Sequence, residues 1–385
     1  MNTYRFGYAL IGEELNVLKN AVIEVDDEGK IVGIGTQTSC ISINFGKNTI
    51  LTPQFINSHI HILDYNLSRY YDKYWIDDVV GTPYGIKYWY LKKVGRKELT
   101  YLEELFKKIK SSGTGCIVPF IEYGLRYVDF VIELAEKYRL NLIPFLEPSY
   151  YRLHVSNEDE VHDELIKEVE NIVKRGFNVA LISPLNYTIK ELEHISKLAH
   201  DFKVKIGTHI SETEDTYLDD DLSRALTYLK PDLAIHLTQL RGKDLDRLPK
   251  GLGVVITPRA NSIFINKLPP LHELLRNENI YIMLGTDNVG VTSWNIIEEI
   301  HYLYHVSKLM KIPINCVELL KLCTVNPSRF WKIDYGIIKQ EVEIHGIVIK
   351  TMSEVDVDDV YKYLTVYAEV SDVVALIDGN VIIEI

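Results

Sequence analysis

From Leu51 onward one pattern repeats along the chain: a short apolar run of strand length, then a stretch whose apolar residues fall at helical spacing with Glu and Lys between them. TPQFINSH (52–59), GCIVPF (115–120), NLIPFL (141–146), NVALIS (178–183), KVKIGTH (203–209), DLAIH (232–236), GVVITP (253–258) and IYIMLGTD (280–287) supply eight such runs. KELTYLEELFKKIKSSG, YVDFVIELAEKYR, DELIKEVENIVKRG and IKELEHISKLAHDF are among the helical stretches that separate them. Eight buried strands joined by helices predict an α/β fold, a (β/α)8 TIM-type barrel. An open doubly wound sheet serves less well, because the polar residues at the ends of widely separated runs meet only if the sheet closes.

The two ends of the chain have a different texture. NAVIEV and KIVGIG, split by the turn DDEGK, read as hairpin strands, and β-type runs return in EVEIHGIVIK, YLTVYAEV and VVALIDGNVIIEI, with Asp378-Gly379 as a hairpin turn. The economical expectation is a small β-sandwich built from residues 1–51 and 334–385, with a barrel over 52–333 inserted between its parts. After the eighth run, NIIEEIHYLYHVSKLMK and INCVELLKLCT are helical, and Asn326-Pro327 opens a short helix in NPSRFW.

Composition narrows the function. A net charge of −12, spread through the 385 residues, argues against a binder of nucleic-acid backbone. No secretory signal is visible and no apolar run approaches the roughly 18 residues of a membrane span, so a cytoplasmic protein with a small-molecule substrate is expected. Four cysteines without CxxC pairing, Cys116 and Cys323 among apolar neighbours, read as thiols and not as a disulfide framework.

In a closed parallel barrel the catalytic groups gather at the C-terminal ends of the strands. The first run ends in His59 and His61, which share a face because a strand repeats every two residues. The fifth ends in His209, the sixth in His236 and the eighth in Asp287. Three imidazoles and a carboxylate suit one Zn²⁺ with a water at an open position, and Fe²⁺ or Mn²⁺ fits the same donors. His236 is either a ligand or a donor beside the metal, and Asp287 binds the ion, orients the water, or does both. Glu212, three residues past His209, is placed to take a proton from a metal-activated water and return it to a leaving nitrogen; Glu214 reads as a surface residue. The remaining histidines fall in helices, loops or the terminal segments.

FINSHIH, THISET, AIHLTQL, TPRANS and LGTDN, in that order, closely resemble the amidohydrolase superfamily, and within it the aminohydrolases of aromatic heterocycles: cytosine and guanine deaminases, S-adenosylhomocysteine/methylthioadenosine deaminases and triazine hydrolases. The resemblance implies one metal on His59, His61, His209 and Asp287, proton shuttling by Glu212, and contact of His236 with the substrate or the attacking water. It implies hydrolytic deamination of a purine, pyrimidine, pterin or nucleoside. The alternatives are hydrolysis of a cyclic or acyl amide, as in deacetylases or imidazolonepropionase, dechlorination, and a non-catalytic binding protein. Dimers are common in that family, and a homodimer is expected on that ground alone. The fourth run, NVALIS, has no lysine to bridge two metals as in binuclear members. Glu147 stands where deacetylases of that superfamily place a metal-binding glutamate, or is a polar rim residue. Arg259 and Asn261 either bind an anionic or carbonyl group or order their own loop. The segment 62–94, crowded with aromatics from Tyr65 to Tyr90, reads as a lid whose rings stack on a flat heterocycle or pack against the barrel.

Overall fold

The computed structural model describes residues 1–38, 40–71, 76–81, 84–152 and 154–385, with no account of the side chains of 71, 76 and 77. It contains the expected barrel. Its strands are Phe55–His61, Thr114–Ile121, Phe145–Leu146, Asn178–Leu181, Ile206–Ile210, Leu233–His236, Gly253–Ile256 and Tyr281–Leu284, hydrogen-bonded in chain order. The parallel register is regular, for example Thr208 beside Ala234 and Val254 beside Ile282. Closure comes from a short continuation of the eighth run: Asp287–Asn288 pairs in parallel with the first strand, Asp287 opposite Ile60 and Asn288 opposite His61. The first two strands are buried along their whole length, as a sheet covered on both faces requires.

The connecting helices follow the apolar spacing read from the sequence. Helix Asp163–Lys174 buries Leu165, Val169, Ile172 and Val173, one stripe at helical intervals. Helix Ile189–Phe202 starts in a capping box, where the Thr188 hydroxyl accepts from the Glu191 N–H (3.1 Å) and the Glu191 carboxylate accepts from the Thr188 N–H (2.8 Å). The aromatic segment after the first strand includes helical stretches over Ile62–Leu67 and Ile86–Lys93.

The chain forms two compact units: residues 1–57, 107–116 and 295–385, and residues 58–106 and 117–294. The first unit holds two sheets. Asn2–Arg5, Val22–Val25, Ile31–Gly35 and Ile43–Asn44 make one; Tyr8–Ile11, Asn16–Lys19, Thr49–Pro53, His345–Lys350, Val373–Asp378 and Val381–Glu384 make the other. Strands from both chain ends thus share one sheet, and Tyr4, Phe6, Ile23, Leu51, Val348 and Ile377 lie in one buried cluster. This unit also takes in 295–333, because helix Ile296–Leu309 packs on the helical turn Tyr363–Tyr367. That turn corrects the reading of YLTVYAEV as a strand: the segment is helical and buries Val360, Tyr363 and Leu364, a spacing of three to four that suits a helix face. The final hairpin turns on Gly379-Asn380, one residue later than expected, since Asp378 still pairs with Val381. Gly379 takes the positive φ (57°) that the turn needs.

A buried polar lock ties this unit together. The Lys110 ammonium pairs with Asp378 (2.6 Å) and donates to the Gln54 side-chain carbonyl (3.1 Å). The Gln54 amide (2.8 Å) and His345 Nδ1 (3.0 Å) donate to the other Asp378 oxygen. Burial alone would push the Asp378 carboxyl up, but His345 and Lys110 hold it below its usual range. Removing one partner of a buried pair leaves the other charge unpaired, at a cost of about 3–5 kcal/mol. Lys110→Met is therefore expected to lower the urea midpoint of the first unfolding transition, and adding Asp378→Asn is expected to recover part of the loss.

Candidate functional site

The four strand-end histidines and Asp287 come together in the second compact unit. His59 is fully buried and His61 nearly so. The Nε2 atoms of His61 and His209 are 3.4 Å apart, and Asp287 Oδ1 lies 3.4 Å from His59 Nε2 and 3.5 Å from His61 Nε2. Neither ring nitrogen of His59 makes a well-formed hydrogen bond among the described residues. Buried nitrogens facing one another without partners are costly unless a ligand unites them. Three imidazole nitrogens and one carboxylate oxygen are the donor set for a divalent ion, so the residues present fit a metal.

What stands behind each ring decides which nitrogen faces the centre. His61 Nδ1 donates to Glu122 (2.6 Å) and His209 Nδ1 donates to the Ile182 carbonyl (2.9 Å), which leaves both Nε2 lone pairs turned inward. His236 is reversed. The Asn261 amide donates to its Nδ1 (2.9 Å), and the Thr257 hydroxyl donates to the Asn261 carbonyl (3.1 Å). Nε2 of His236 then carries the proton, and it faces the Glu212 carboxylate at 3.5 Å. Beneath the rings, Phe120 meets His59 edge-on at 4.5 Å and stacks on Phe145 at 5.2 Å. Gly207 leaves room for that pair, since a Cβ there would meet Phe120 at 2.7 Å.

A second charged layer backs the site. The Lys87 ammonium, from helix Ile86–Lys93, pairs with Glu122 (2.5 Å) and Asp64 (2.9 Å), and Asp64 also accepts from the Asn288 amide (2.5 Å). Burial disfavours every charge here, yet Asp64 and Glu122 keep Lys87 firmly protonated, and Lys87 and His61 hold the Glu122 carboxyl well below its ordinary value. Burial dominates at His59, lowering its pKa to about 3, so that ring is a neutral donor at physiological pH. Burial would also raise Asp287, but its histidine neighbours keep it ionised.

Glu212 sits on a constructed turn. Ser211 has φ 49° and is held by Asp221, whose carboxylate accepts from the Ser211 N–H (2.5 Å) and hydroxyl (2.8 Å). Thr238 and Gln239, just past the sixth strand, donate to the Glu212 carbonyl at 2.5 and 3.2 Å. His236 (φ 76°) and Asp287 (φ 62°) also occupy the left-handed region, unusual for such residues. The Glu212 side chain is partly exposed and lines the same cavity as His61, His209, His236 and Asp287.

The amidohydrolase family model matches residues 50–375. The chain belongs to the amidohydrolase family. It is 25% identical over 340 residues to an uncharacterized protein of Methanocaldococcus jannaschii, covering 84% of each chain. It is 24% identical over 303 residues to a 5-methylthioadenosine/S-adenosylhomocysteine deaminase of Caldicellulosiruptor saccharolyticus, covering 73% of this chain and 67% of that one. Among solved structures, an adenosine deaminase from Xanthomonas campestris with bound zinc superposes with a TM-score of 0.78 at 16% identity, over 99% of this chain and 92% of that one.

For the outer residues of this amidohydrolase the sequence left two readings open, and the structure shows what each side chain touches. Asn261 is fully buried behind His236 and donates to its Nδ1. Arg259 donates to the Ser293 carbonyl (2.9 Å) and hydroxyl (3.2 Å), joining the loops after the seventh and eighth strands. Of the aromatic segment, Tyr88 lines the inner cavity of about 100 Å³, and Tyr84 lines an outer cavity of about 530 Å³ that shares His209 and Glu212 with it. Tyr65 stacks instead on Tyr101 (5.6 Å), and the Tyr90 hydroxyl accepts from Asn66. Tyr74 and Trp75 lie outside the described residues. The Glu147 carboxylate lines the inner cavity but is not among the clustered donor atoms at the histidines.

Sequence reasoning missed Glu122, Lys87 and Asp64. Glu122 had a signal: it follows the second strand immediately, a polar residue at a strand end like the histidines. Lys87 had none, being one lysine in an aromatic segment. Because Glu122 orients His61, Glu122→Gln is expected to lower zinc affinity by about 10–100-fold, measured by competition with a chromophoric chelator.

Proposed function

We propose that this protein is a metal-dependent aminohydrolase that removes ammonia from an aminated heterocycle. The observation that carries this reading is the convergence of His59, His61, His209 and Asp287 beside a donor–acceptor pair, His236 and Glu212, at one end of the barrel. Membership in the amidohydrolase family and likeness to relatives named as deaminases support it. A divalent ion held by those four residues, with zinc the first candidate because the similar adenosine deaminase structure binds it, supplies a Lewis acid that acidifies water at neutral pH.

The chain's own groups do the remainder. Glu212 accepts the proton of the attacking water as oxygen bonds to the amine-bearing carbon. His236, with Nε2–H turned into the cavity by Asn261, donates to the charge that develops at the attacked centre. Asp287, kept ionised by its neighbours, orients the water. Glu212 then returns the proton to the departing nitrogen, so the carbon–nitrogen bond breaks and ammonia leaves. The four cysteines are unpaired, which accords with a cytoplasmic setting.

Two substitutions test the assignment in an ammonia-release screen over purines, pyrimidines, pterins and their nucleosides. Glu212→Gln is expected to keep its metal and lose about 10²–10⁴-fold in kcat; normal turnover would sink the acid–base role. Asn261→Asp is expected to pull the His236 proton onto Nδ1 and lower kcat on the order of 10²-fold or more, as a wrong tautomer does in other histidine-dependent hydrolases. A wild-type pH–rate profile and kcat in that variant would show the tautomer to be irrelevant.

A further inference from the structure

Glu147 is a buried carboxylate that the mechanism does not use. It follows the third barrel strand, is 3% exposed, and lines the inner cavity. Its backbone is fixed on both sides: its N–H donates to the Ile121 carbonyl (2.9 Å) and its carbonyl accepts from the Gly124 N–H (3.0 Å). The carboxylate itself has no hydrogen bond or ion pair among the described residues. The one lysine among the described residues of the cavity wall, Lys87, is committed to Glu122 and Asp64. Among the described residues, five carboxylates (Asp64, Glu122, Glu147, Glu212 and Asp287) thus face or back this space against one ammonium and, when loaded, one divalent ion.

A carboxylate taken out of water without a donor is among the costlier arrangements in a protein interior, and a rigid strand end holds this one in place. Tyr88 lines the same cavity and stands edge-on to Tyr151, at 5.5 Å. Burial first, and then Glu122, push the Glu147 carboxyl well above its ordinary range, a shift that an incoming donor would reverse. Glu147 belongs to none of the clusters of potential metal donors at the histidines.

We propose that Glu147 is a recognition point for substrate: it accepts from a second hydrogen-bond-donating or cationic edge of the ring, such as a further exocyclic amine or a ring N–H. The inner cavity accordingly turns away rings that carry a carboxylate or phosphate at that edge. This deepens the aminohydrolase reading, on which it rests for the identity of the ligand as an aminated ring.

The test is isothermal titration of the zinc-loaded protein with 2,4,6-triamino-1,3,5-triazine and with 4,6-diamino-1,3,5-triazine-2-carboxylate, with ammonia assayed in parallel. The wild type is expected to bind the triamine at least tenfold more tightly than the carboxylate. Hydrogen bonds to a charged acceptor set the scale of the loss on substitution: about tenfold for Glu147→Gln and about a hundredfold for Glu147→Leu, on the triamine alone and with zinc content unchanged. The proposal is overturned if the variants keep the wild-type preference, if they lose zinc, or if the wild type binds both rings equally or neither. Should Glu147→Leu fail to fold, Glu147→Gln decides. A preference that depends on Glu147 in a protein releasing no ammonia from any aminated ring would overturn deamination and leave this subsite standing. Ammonia release with a preference indifferent to Glu147 would do the reverse.

Discussion

The arrangement depends on which nitrogen of each imidazole carries its proton. Four histidines reach one end of a barrel from three strands, and their side chains are chemically identical until something fixes the tautomer. Glu122 and the Ile182 carbonyl take the Nδ1 protons of His61 and His209, and so aim lone pairs at the centre. Asn261 donates to His236 instead and aims a proton there. One residue type thereby presents inward lone pairs at some strand ends and an N–H at another. For His61, His209 and His236 the distinction lies in the partner behind the ring, which is why Lys87, Thr257 and Asp64 matter to a reaction they do not touch.

The fold carries a local cost to achieve this. Ser211, His236 and Asp287 hold left-handed backbone conformations at consecutive points of the site, each costing on the order of 1–3 kcal/mol. Each lies in a web of short polar contacts. Asp221 holds Ser211, Thr257 reaches His236 directly at 3.2 Å, and the Thr292 hydroxyl donates to the Thr286 carbonyl (2.7 Å) just before Asp287. Gly285 lets the eighth strand pass so close to the first that a Cβ would meet the His59 backbone at 2.8 Å. Closure of the barrel and assembly of the site are one event: the Asp287–Asn288 segment that closes the sheet also delivers the carboxylate.

The parts legible in the sequence are those governed by a short period. Strands announced themselves as apolar runs, and the site as polar residues where such runs stop, so His59, His61, His209, His236 and Asp287 could be read one strand at a time. What escaped depends on three-dimensional neighbours. Asn261 reads equally as a substrate contact or as an anchor of its own loop until the buried ring behind which it lies is known. Lys87 acquires meaning only when its helix folds across the barrel end and meets Glu122. YLTVYAEV, rich in β-branched and aromatic residues, favours a strand by propensity, yet burial of Val360 and Leu364 on one helical face prevails.

The distribution of charge then separates two tasks within one cavity. Glu122 and Asp64 are neutralised in part by Lys87, so their effect is spent on holding His61 and the residues around it. Asp287 is stabilised as an anion by the histidines beside it. Glu212 is partly open to solvent and faces His236 at 3.5 Å. Glu147 is buried on the cavity wall and has no ion pair among the described residues. In a low-dielectric space a buried carboxyl responds strongly to any donor or cation brought beside it, so on the proposal above the group least involved in the chemistry is the one that selects which ring is admitted.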